Sequence, residues 1–591
     1  LLETTEVVLR GGDAEQIPLH LALRAHDIPS HKKKKNEIQE DEDFTVMDQV
    51  VLYFIKSNPK TCTIPDPNHD HQLPLHTAIV MTKSHLLIEK IAQCYPKGIE
   101  ENTMKEERTA LHLLVHECEG FDPREAELII RILLKYDPHG ATVQDKDGLL
   151  PLHMAAMEPH WEKARKHAER MKKAHASLDP KSRHVILAEL LKSHPKGAHV
   201  VDYKGNLPLH HACYAHDADS VEMLVKVYDQ GATVANGEGL LPLHIICGTT
   251  WHPSHDFYLD SDDSVNDEKD SSSDLIMKKL LELHPEAAKM TNSQGDLPLY
   301  TACSSLLSTR EINPSSLSAL INANPDAAVI PSPEGGNLPL HAAIRSLHGK
   351  NTHFAQVMIQ TLLDVHPDAA KITDSRGSLP LHLALMYTHG GDVEHAEVGV
   401  ALLRLLYNAY PDVITITNDS DRLPLHDVAR LVGETAGITH PSLLLYVTFL
   451  EEMIHAYPEA LKRLDGFSRT PLHHLCMHLD DSILSYGRSF EYAQVRNVHL
   501  EKVIQRMMRL FPDAIDVADK SGDTPKDMMI QDRFRSVSGS VDYGEKSKVF
   551  TYLARAVRLG SDYWRSVADV EGVDLVEEGW KGMRGLGNDE L

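Results

Sequence analysis

The tetrapeptide Leu-Pro-Leu-His stands at Leu73–His76, Leu150–His153, Leu207–His210, Leu241–His244, Leu338–His341, Leu379–His382 and Leu423–His426, each time after a turn and before an apolar helical stretch. Variants occupy Ile17–His20, Thr109–His112, Leu297–Tyr300, Thr470–His473 and Thr524–Asp527. A motif that returns twelve times marks one supersecondary unit copied along the chain, not a single catalytic site. A solenoid follows, in which each unit packs on its neighbours and the default use is binding by surface. That architecture also answers a problem of size. A single core stops growing near about 250–300 residues, and this chain has 591.

Residues 366 to 407 spell out one unit. Pro367 ends a helix, because proline cannot continue it. Asp374-Ser375-Arg376-Gly377 is a turn, opened by the Asp side chain and closed by a glycine that supplies positive φ. Leu379-Pro380-Leu381-His382 starts the first helix, with Pro380 at the first helical position, where a missing N–H costs nothing. Val398 to Tyr407 is predicted as the second helix. Asx-x-x-Gly turns recur at Asp145–Gly148, Asp202–Gly205, Asn236–Gly239, Asn292–Gly295 and Asp519–Gly522. Second helices end in phase with them, at Pro59, Pro96, Pro195, Pro285, Pro325, Pro411, Pro458 and Pro512.

This order of D-x-x-G turn, T-P-L-H-x-A and two antiparallel helices resembles the ankyrin repeat, over roughly residues 10 to 530. The resemblance implies an all-α fold, an ankyrin-repeat-like α-solenoid of about twelve helix-turn-helix units with hairpin-like turns. It also implies L-shaped units whose turns project as fingers and, with the first helices, line a concave surface that binds partner proteins. Three departures stand out. The family's Thr, which caps the first helix and partners the motif His, is Leu at most sites. That loses about 0.5–2 kcal/mol per helix unless a backbone or His contact replaces the cap, or Leu fills the seam between repeats. Pro298, Pro339 and Pro380 are spaced by 41 residues, longer than the family's repeat. Asp421 and Ser468 stand where a turn glycine is expected.

Residues 1–530 read as the array, with insertions near 31–45, 158–183, 251–274 and 479–498. Lys32–Asp43 is a basic run followed by an acidic one. Glu158–Arg183 is basic and helix-forming, either a solvated helical loop or a docking arm for an acidic partner. Trp251–Asp274 is acidic and expected to be disordered, with Ser261, Ser264 and Ser271–Ser273 set as acidophilic kinase sites. Arg533–Ser538 resembles a basophilic kinase site. Residues 531–591 read as a loop, a capping helix at 546–559 and an acidic C-terminal tail. The chain opens without Met and close to a turn, so it reads as a processed product or an incomplete gene model, with room for a missing upstream domain.

The formal charge of −26 argues against nucleic acid as the main ligand, since a polyanion would be repelled. Cys213, Cys247, Cys303 and Cys476 each lie three residues after the motif's fourth position, on stacked helices too far apart for disulfides. Buried free thiols in a reducing compartment follow, with a cytoplasmic location and the nucleus as an alternative. No apolar run reaches a membrane-spanning length of about 18 residues. Histidines at His69/His71, His252/His255 and His473/His474/His478 read as motif and loop residues, so no metal and no cofactor is expected. Phosphate-loop, dinucleotide-binding, H-E-x-x-H and G-x-S-x-G motifs are missing, and no catalytic triad can be argued.

The expected function is therefore a non-enzymatic scaffold that binds protein partners. If the family's geometry transfers, the contact residues are the variable turn pairs: Lys146 and Asp147, Tyr203 and Lys204, Ser293 and Gln294, Ser375 and Arg376, Asp419 and Ser420, and Phe467. Tyr203, Arg376 and Phe467 are the preferred anchors, because aromatics and Arg dominate interface energies. The alternative is a targeting or regulatory part of a larger enzyme or membrane protein, such as a ubiquitin-ligase adaptor, a kinase regulator or a channel segment.

Overall fold

The computed structural model describes residues 18–24, 46–66, 71–82, 84–118, 121–157, 181–248, 272–304, 314–345, 352–388, 393–435, 440–477 and 498–530. The chain divides into two compact units, Leu1–Pro298 and Leu299–Leu591. The described regular elements are helices, apart from one antiparallel bridge between Asp66 and Gln72. The first unit pairs Pro18–Arg24 with Val46–Ser57, Pro74–Met81 with His85–Cys94, Ala110–Glu117 with Pro123–Tyr136, Pro151–Ala156 with Lys181–Ser193, Pro208–Tyr214 with Ala218–Val227, and Pro242–Gly248 with Ser272–Leu283. The second opens inside the helix Pro298–Ser304. It continues with Pro314–Ala323, then the pairs Pro339–Arg345 with Thr352–Val365, Pro380–Tyr387 with Val393–Ala409, and Pro424–Thr435 with His440–Ala456. A helix at 471–477, Val498–Leu510 and Pro525–Ile530 complete it.

Within each unit, first helices stack on first helices and second helices on second helices. Their facing residues are Leu, Ile, Val and Ala, and the motif's apolar positions are buried at every described copy, for example Leu207, Leu209 and Ala212. Cys213, Cys247, Cys303 and Cys476 are buried on the first helices, as their spacing predicts.

The prolines that end the second helices do more than stop them. Pro195, Pro285, Pro325, Pro367, Pro411 and Pro458 each open a 3-10 helix of five residues, such as Pro367–Lys371. Proline's fixed φ suits a first helical position. The small pair that follows, Ala369 and Ala370 in this copy, is buried. This extra turn accounts for part of the long spacing between motifs.

Several predicted boundaries shift. The second helix expected at Val398–Tyr407 spans Val393–Ala409. The basic insertion ends before Lys181, because Lys181–Ser193 is a second helix whose Ser182 is buried and donates to the Phe121 carbonyl at 2.8 Å. Ser272–Asp274 were expected to be disordered and are helical instead. Ser273 is buried with its hydroxyl 2.9 Å from His216 Nδ1, and Asp274 is also buried, so these positions are packing residues. The last insertion ends at Val498, where a helix begins. Residues 32–43, the remaining inserted segments, the predicted capping helix 546–559 and the Arg533–Ser538 site lie outside the described residues.

The motif histidine secures the start of the first helix whether Leu or Thr stands three residues before it. His Nδ1 accepts the backbone N–H of the residue three before it at Leu73 (3.2 Å), Leu150 (3.0 Å), Leu207 (3.0 Å), Leu338 (3.0 Å) and Leu423 (3.1 Å). Its Nε2–H reaches a backbone carbonyl in the chain leading to the next finger, at Leu149 from His112 (2.9 Å), Val234 from His210 (3.1 Å), Ile372 from His341 (3.1 Å) and Arg463 from His426 (3.1 Å). One neutral imidazole thus anchors its own helix start and ties on the following connection. Thr109 and Thr470 keep the family residue and add a hydroxyl contact to the same Nδ1, at 2.9 and 2.8 Å. The Leu side chain packs on the 3-10 helix of its own repeat. A Cβ at Gly231 would stand 3.5 Å from a Leu207 methyl, and one at Gly98 would stand 3.2 Å from a Leu73 methyl.

Candidate protein-binding surface

Eight of the described fingers are closed by an Asx side chain. In Asp202 one carboxylate oxygen accepts from the Lys204 N–H at 2.9 Å and the Asn206 N–H at 2.8 Å. The same pair of bonds forms at Asp145, Asn236, Asn292, Asp374, Asn418, Asp465 and Asp519. Asx side chains favour this turn because they substitute for a backbone acceptor. The fourth position needs a left-handed backbone, with φ of 78° at Gly148 and 79° at Gly205. Asp421 (56°) and Ser468 (61°) take the same conformation without glycine's freedom.

The second oxygen of the turn Asp accepts a hydrogen bond from a His or Arg side chain. Asp202 takes His211 Nε2 at 2.9 Å, and Asp465 takes His474 Nε2 at 2.9 Å. Asp374 takes Arg345 at 3.1 Å, Asp519 takes Arg469 at 3.0 Å, and Asp66 pairs with Arg24. Burial alone would raise the pKa of Asp202. The Asn206 amide and His211 outweigh it and hold the carboxyl below its ordinary value. These partners were not anticipated from the sequence, although they keep register: His211 and His474 directly follow the motif His, and Arg24 and Arg345 lie four residues after it.

Neighbouring fingers are tied tip to tip by backbone hydrogen bonds. In the first unit the Lys146 N–H donates to the Glu106 carbonyl (3.3 Å), Tyr203 to Asp147 (3.3 Å) and Gly237 to Lys204 (2.9 Å). In the second, Gly466 donates to Ser420 (2.8 Å) and Lys520 to Phe467 (3.0 Å). The approach is close enough that a Cβ at Gly237 would fall 2.3 Å from the Lys204 oxygen. A backbone fixed in this way presents its side chains outward.

Every expected contact residue is exposed: Lys146, Asp147, Tyr203, Lys204, Ser293 and Gln294 in the first unit, and Ser375, Arg376, Asp419, Ser420 and Phe467 in the second. They differ in what they already touch. Lys146 pairs with Glu106 at 2.6 Å, and the Ser293 hydroxyl donates to the Glu238 carbonyl. Tyr203 leans on the neighbouring fingertip, where a Cβ at Gly148 would meet its ring, yet remains 73% exposed. Phe467 is 50% exposed, with the Arg469 guanidinium 5.4 Å from its ring centre. Behind Lys204, an open groove of about 330 Å³ runs between finger and first helix, lined by Asn206, His211, Tyr214, Asn236 and Glu238 among others.

Of the histidine groups considered for metal, His473 and His474 hold the cap and the turn Asp described above. His69, His252, His255 and His478 lie outside the described residues. One group was not foreseen. His184, Asp217 and Asp219 bring ligand atoms within 4.8 Å of one another, with His184 Nε2 2.8 Å from Asp217. The Asp217 hydrogen bond raises the His184 pKa, and the Asp217 and Asp219 charges act the same way. Among the described residues no helix is long and apolar enough to cross a membrane.

Residues 198–246, which carry the fingers at Asp202 and Asn236, match the family model described as ankyrin repeats (many copies). Among solved structures, the crystal structure of the ankyrin repeat domain of Bcl-3, a unique member of the IkappaB protein family, is similar at 19% identity. The match covers 46% of this chain and 93% of that one, with a TM-score of 0.28. No curated protein matches the chain.

Proposed function

We propose that this chain, an ankyrin-repeat protein, is a non-enzymatic scaffold that binds partner proteins through its turn tips and first helices. Repeats of this kind are in general protein-interaction modules, and their stacks offer extended surfaces suited to that work. The observation that carries the reading is the pairing of a fixed backbone with outward side chains. Tyr203 and Phe467 are exposed aromatics on fingers held by Asx circuits and tip-to-tip bonds. Rigid aromatic and Arg side chains lose little freedom on binding and dominate interface energies. Tyr203, Arg376 and Phe467 are the anchors of this proposal, and the remaining turn residues supply its polar rim.

The cytoplasm, with the nucleus as an alternative, is the proposed place of action, supported by Cys213, Cys247, Cys303 and Cys476, which recur one per repeat on stacked helices beyond disulfide reach. The partner is a protein rather than a nucleic acid, in keeping with the net charge of −26.

Affinity purification from the source cells at moderate salt tests this, with wild type beside the triple variant Tyr203→Ala, Arg376→Ala, Phe467→Ala. A protein recovered with wild type and lost with the variant supports fingertip binding and names the partner. Equal recovery with both overturns it and moves binding to the inserted segments or the tail.

A further inference from the structure

Away from the fingertips, three side chains from neighbouring repeats converge. His184 lies in the first turn of Lys181–Ser193, the second helix of one repeat. Asp217 caps Ala218–Val227, the second helix of the next repeat, and Asp219 sits in that helix's first turn. The two helices pack on each other, and the first helix Pro208–Tyr214 separates the cluster from the finger at Asp202. His184 Nε2 stands 2.8 Å from Asp217 Oδ2, and its Nδ1 stands 3.8 Å from Asp219 Oδ2. With one ligand atom taken from each residue, the three lie within 4.8 Å of one another.

A His–Asp pair would account for His184 and Asp217 alone. Asp219 brings a second carboxylate to the same ring, so even a protonated imidazole leaves these three side chains with a net negative charge. A divalent cation offsets that excess. One imidazole nitrogen with two carboxylate oxygens is a donor set that zinc accepts, unlike calcium and magnesium, which take oxygen shells. Zinc bonds of about 2.0–2.2 Å place tetrahedral ligand atoms about 3.4 Å apart. The observed 2.8 and 3.8 Å lie on either side of that spacing. Asp219 is 77% exposed and can close the difference by side-chain rotation. Asp217 is already oriented, because its carboxylate accepts the Ser220 N–H at 3.2 Å and the Ser220 hydroxyl at 2.6 Å. Ligating carboxylates are commonly held by such outer hydrogen bonds.

We propose that His184, Asp217 and Asp219 bind a zinc ion across the seam between the repeats that carry Lys181–Ser193 and Ala218–Val227. The imidazole nitrogen that meets the metal gives its proton to solvent, and water fills the fourth position. Because its ligands come from two repeats, the ion binds the folded stack and not the unfolded chain, so zinc raises the stability of the first unit.

The test uses the full chain, freed of metal with a chelator, and zinc chloride as the probe. The chain has 38 histidines and seven cysteines that also attract zinc, so the decisive quantity is the difference between wild type and variants. Asp219→Ala changes an exposed side chain and leaves the seam's packing in place. Calorimetric titration, with metal content measured after gel filtration, should show one zinc ion in wild type whose binding is at least about tenfold weaker in Asp219→Ala and in His184→Gln. Zinc should also raise the melting temperature of wild type more than that of either variant. If His184→Gln does not fold, wild type beside Asp219→Ala still decides. Equal zinc content, equal affinity and an equal melting shift in wild type and Asp219→Ala overturn the proposal.

Discussion

His210 Nδ1 accepts the Leu207 N–H at 3.0 Å while its Nε2 faces the Val234 carbonyl at 3.1 Å. The ring is fully buried, and burial pushes its pKa down from 6.5 to about 4. One neutral side chain therefore satisfies the N–H that opens its own helix and a carbonyl beside the next finger, in Leu and Thr repeats alike. The two halves of Leu-Pro-Leu-His are mechanically linked: the His holds the helix start, and the Leu packs on the 3-10 helix.

Replacing His210 by Ala should leave the Leu207 N–H and the Val234 carbonyl without this partner and open a cavity. A loss of about 2–4 kcal/mol is expected, read as a lower urea midpoint for the first unit's unfolding. A loss below about 1 kcal/mol would mean that the cap is not the His bond.

Restoring the family's residue at position 207 should not help. In Leu207→Thr the hydroxyl contributes about 1 kcal/mol of capping, against a larger loss of buried apolar contact. Net destabilisation of about 1–2 kcal/mol is expected, again by urea unfolding. A more stable Leu207→Thr protein would show that packing on the 3-10 helix matters less than the cap.

Acid should act on the array through these rings. His76, His112, His153, His210, His341, His426 and His473 are pushed down from 6.5 to about 4, with burial the largest cause. The unfolded chain takes up these protons near its ordinary value, and the folded chain refuses them until about pH 4. Their contribution is complete above pH 6.5 and is lost as the pH falls from 6.5 towards 4. At about pH 5 each such ring costs on the order of 2 kcal/mol, so a few of them rival a domain's whole stability. Urea midpoints should fall steeply between about pH 7 and pH 5. A flat profile there would contradict the buried neutral imidazoles.

Turns whose left-handed position is not glycine carry strain that can be removed. Ser468 has φ of 61°, and Ser468→Gly should stabilise the protein by about 0.5–1 kcal/mol, after allowing for glycine's extra freedom when unfolded. Thermal melting checks the sign, and a lower melting temperature would show that the Ser side chain contributes more than the backbone strain costs.

The repeat was legible because its punctuation is local. Pro380 after Leu379, and Asp374 three residues before Gly377, have one reading each in backbone terms. The fingertips were legible for the same reason, since the Asx circuit fixes which residues point outward. What was not legible depends on contacts between separate elements. His211 on Asp202 needs the finger and the first helix folded together, and Arg469 on Asp519 needs neighbouring fingers stacked. Ser273 and Asp274 looked like part of an acidic loop because charge composition carries no register, whereas their burial follows from the helix that Leu275, Ile276 and Met277 continue.

The most direct measurement is calorimetric titration of the purified partner against wild type and against the Tyr203→Ala, Arg376→Ala, Phe467→Ala variant, with melting curves recorded on the same samples. At least a tenfold weaker affinity, about 1.4 kcal/mol, at an unchanged melting temperature is the predicted result. Unchanged affinity, or a loss of affinity that follows a loss of fold, would contradict binding through the fingertips.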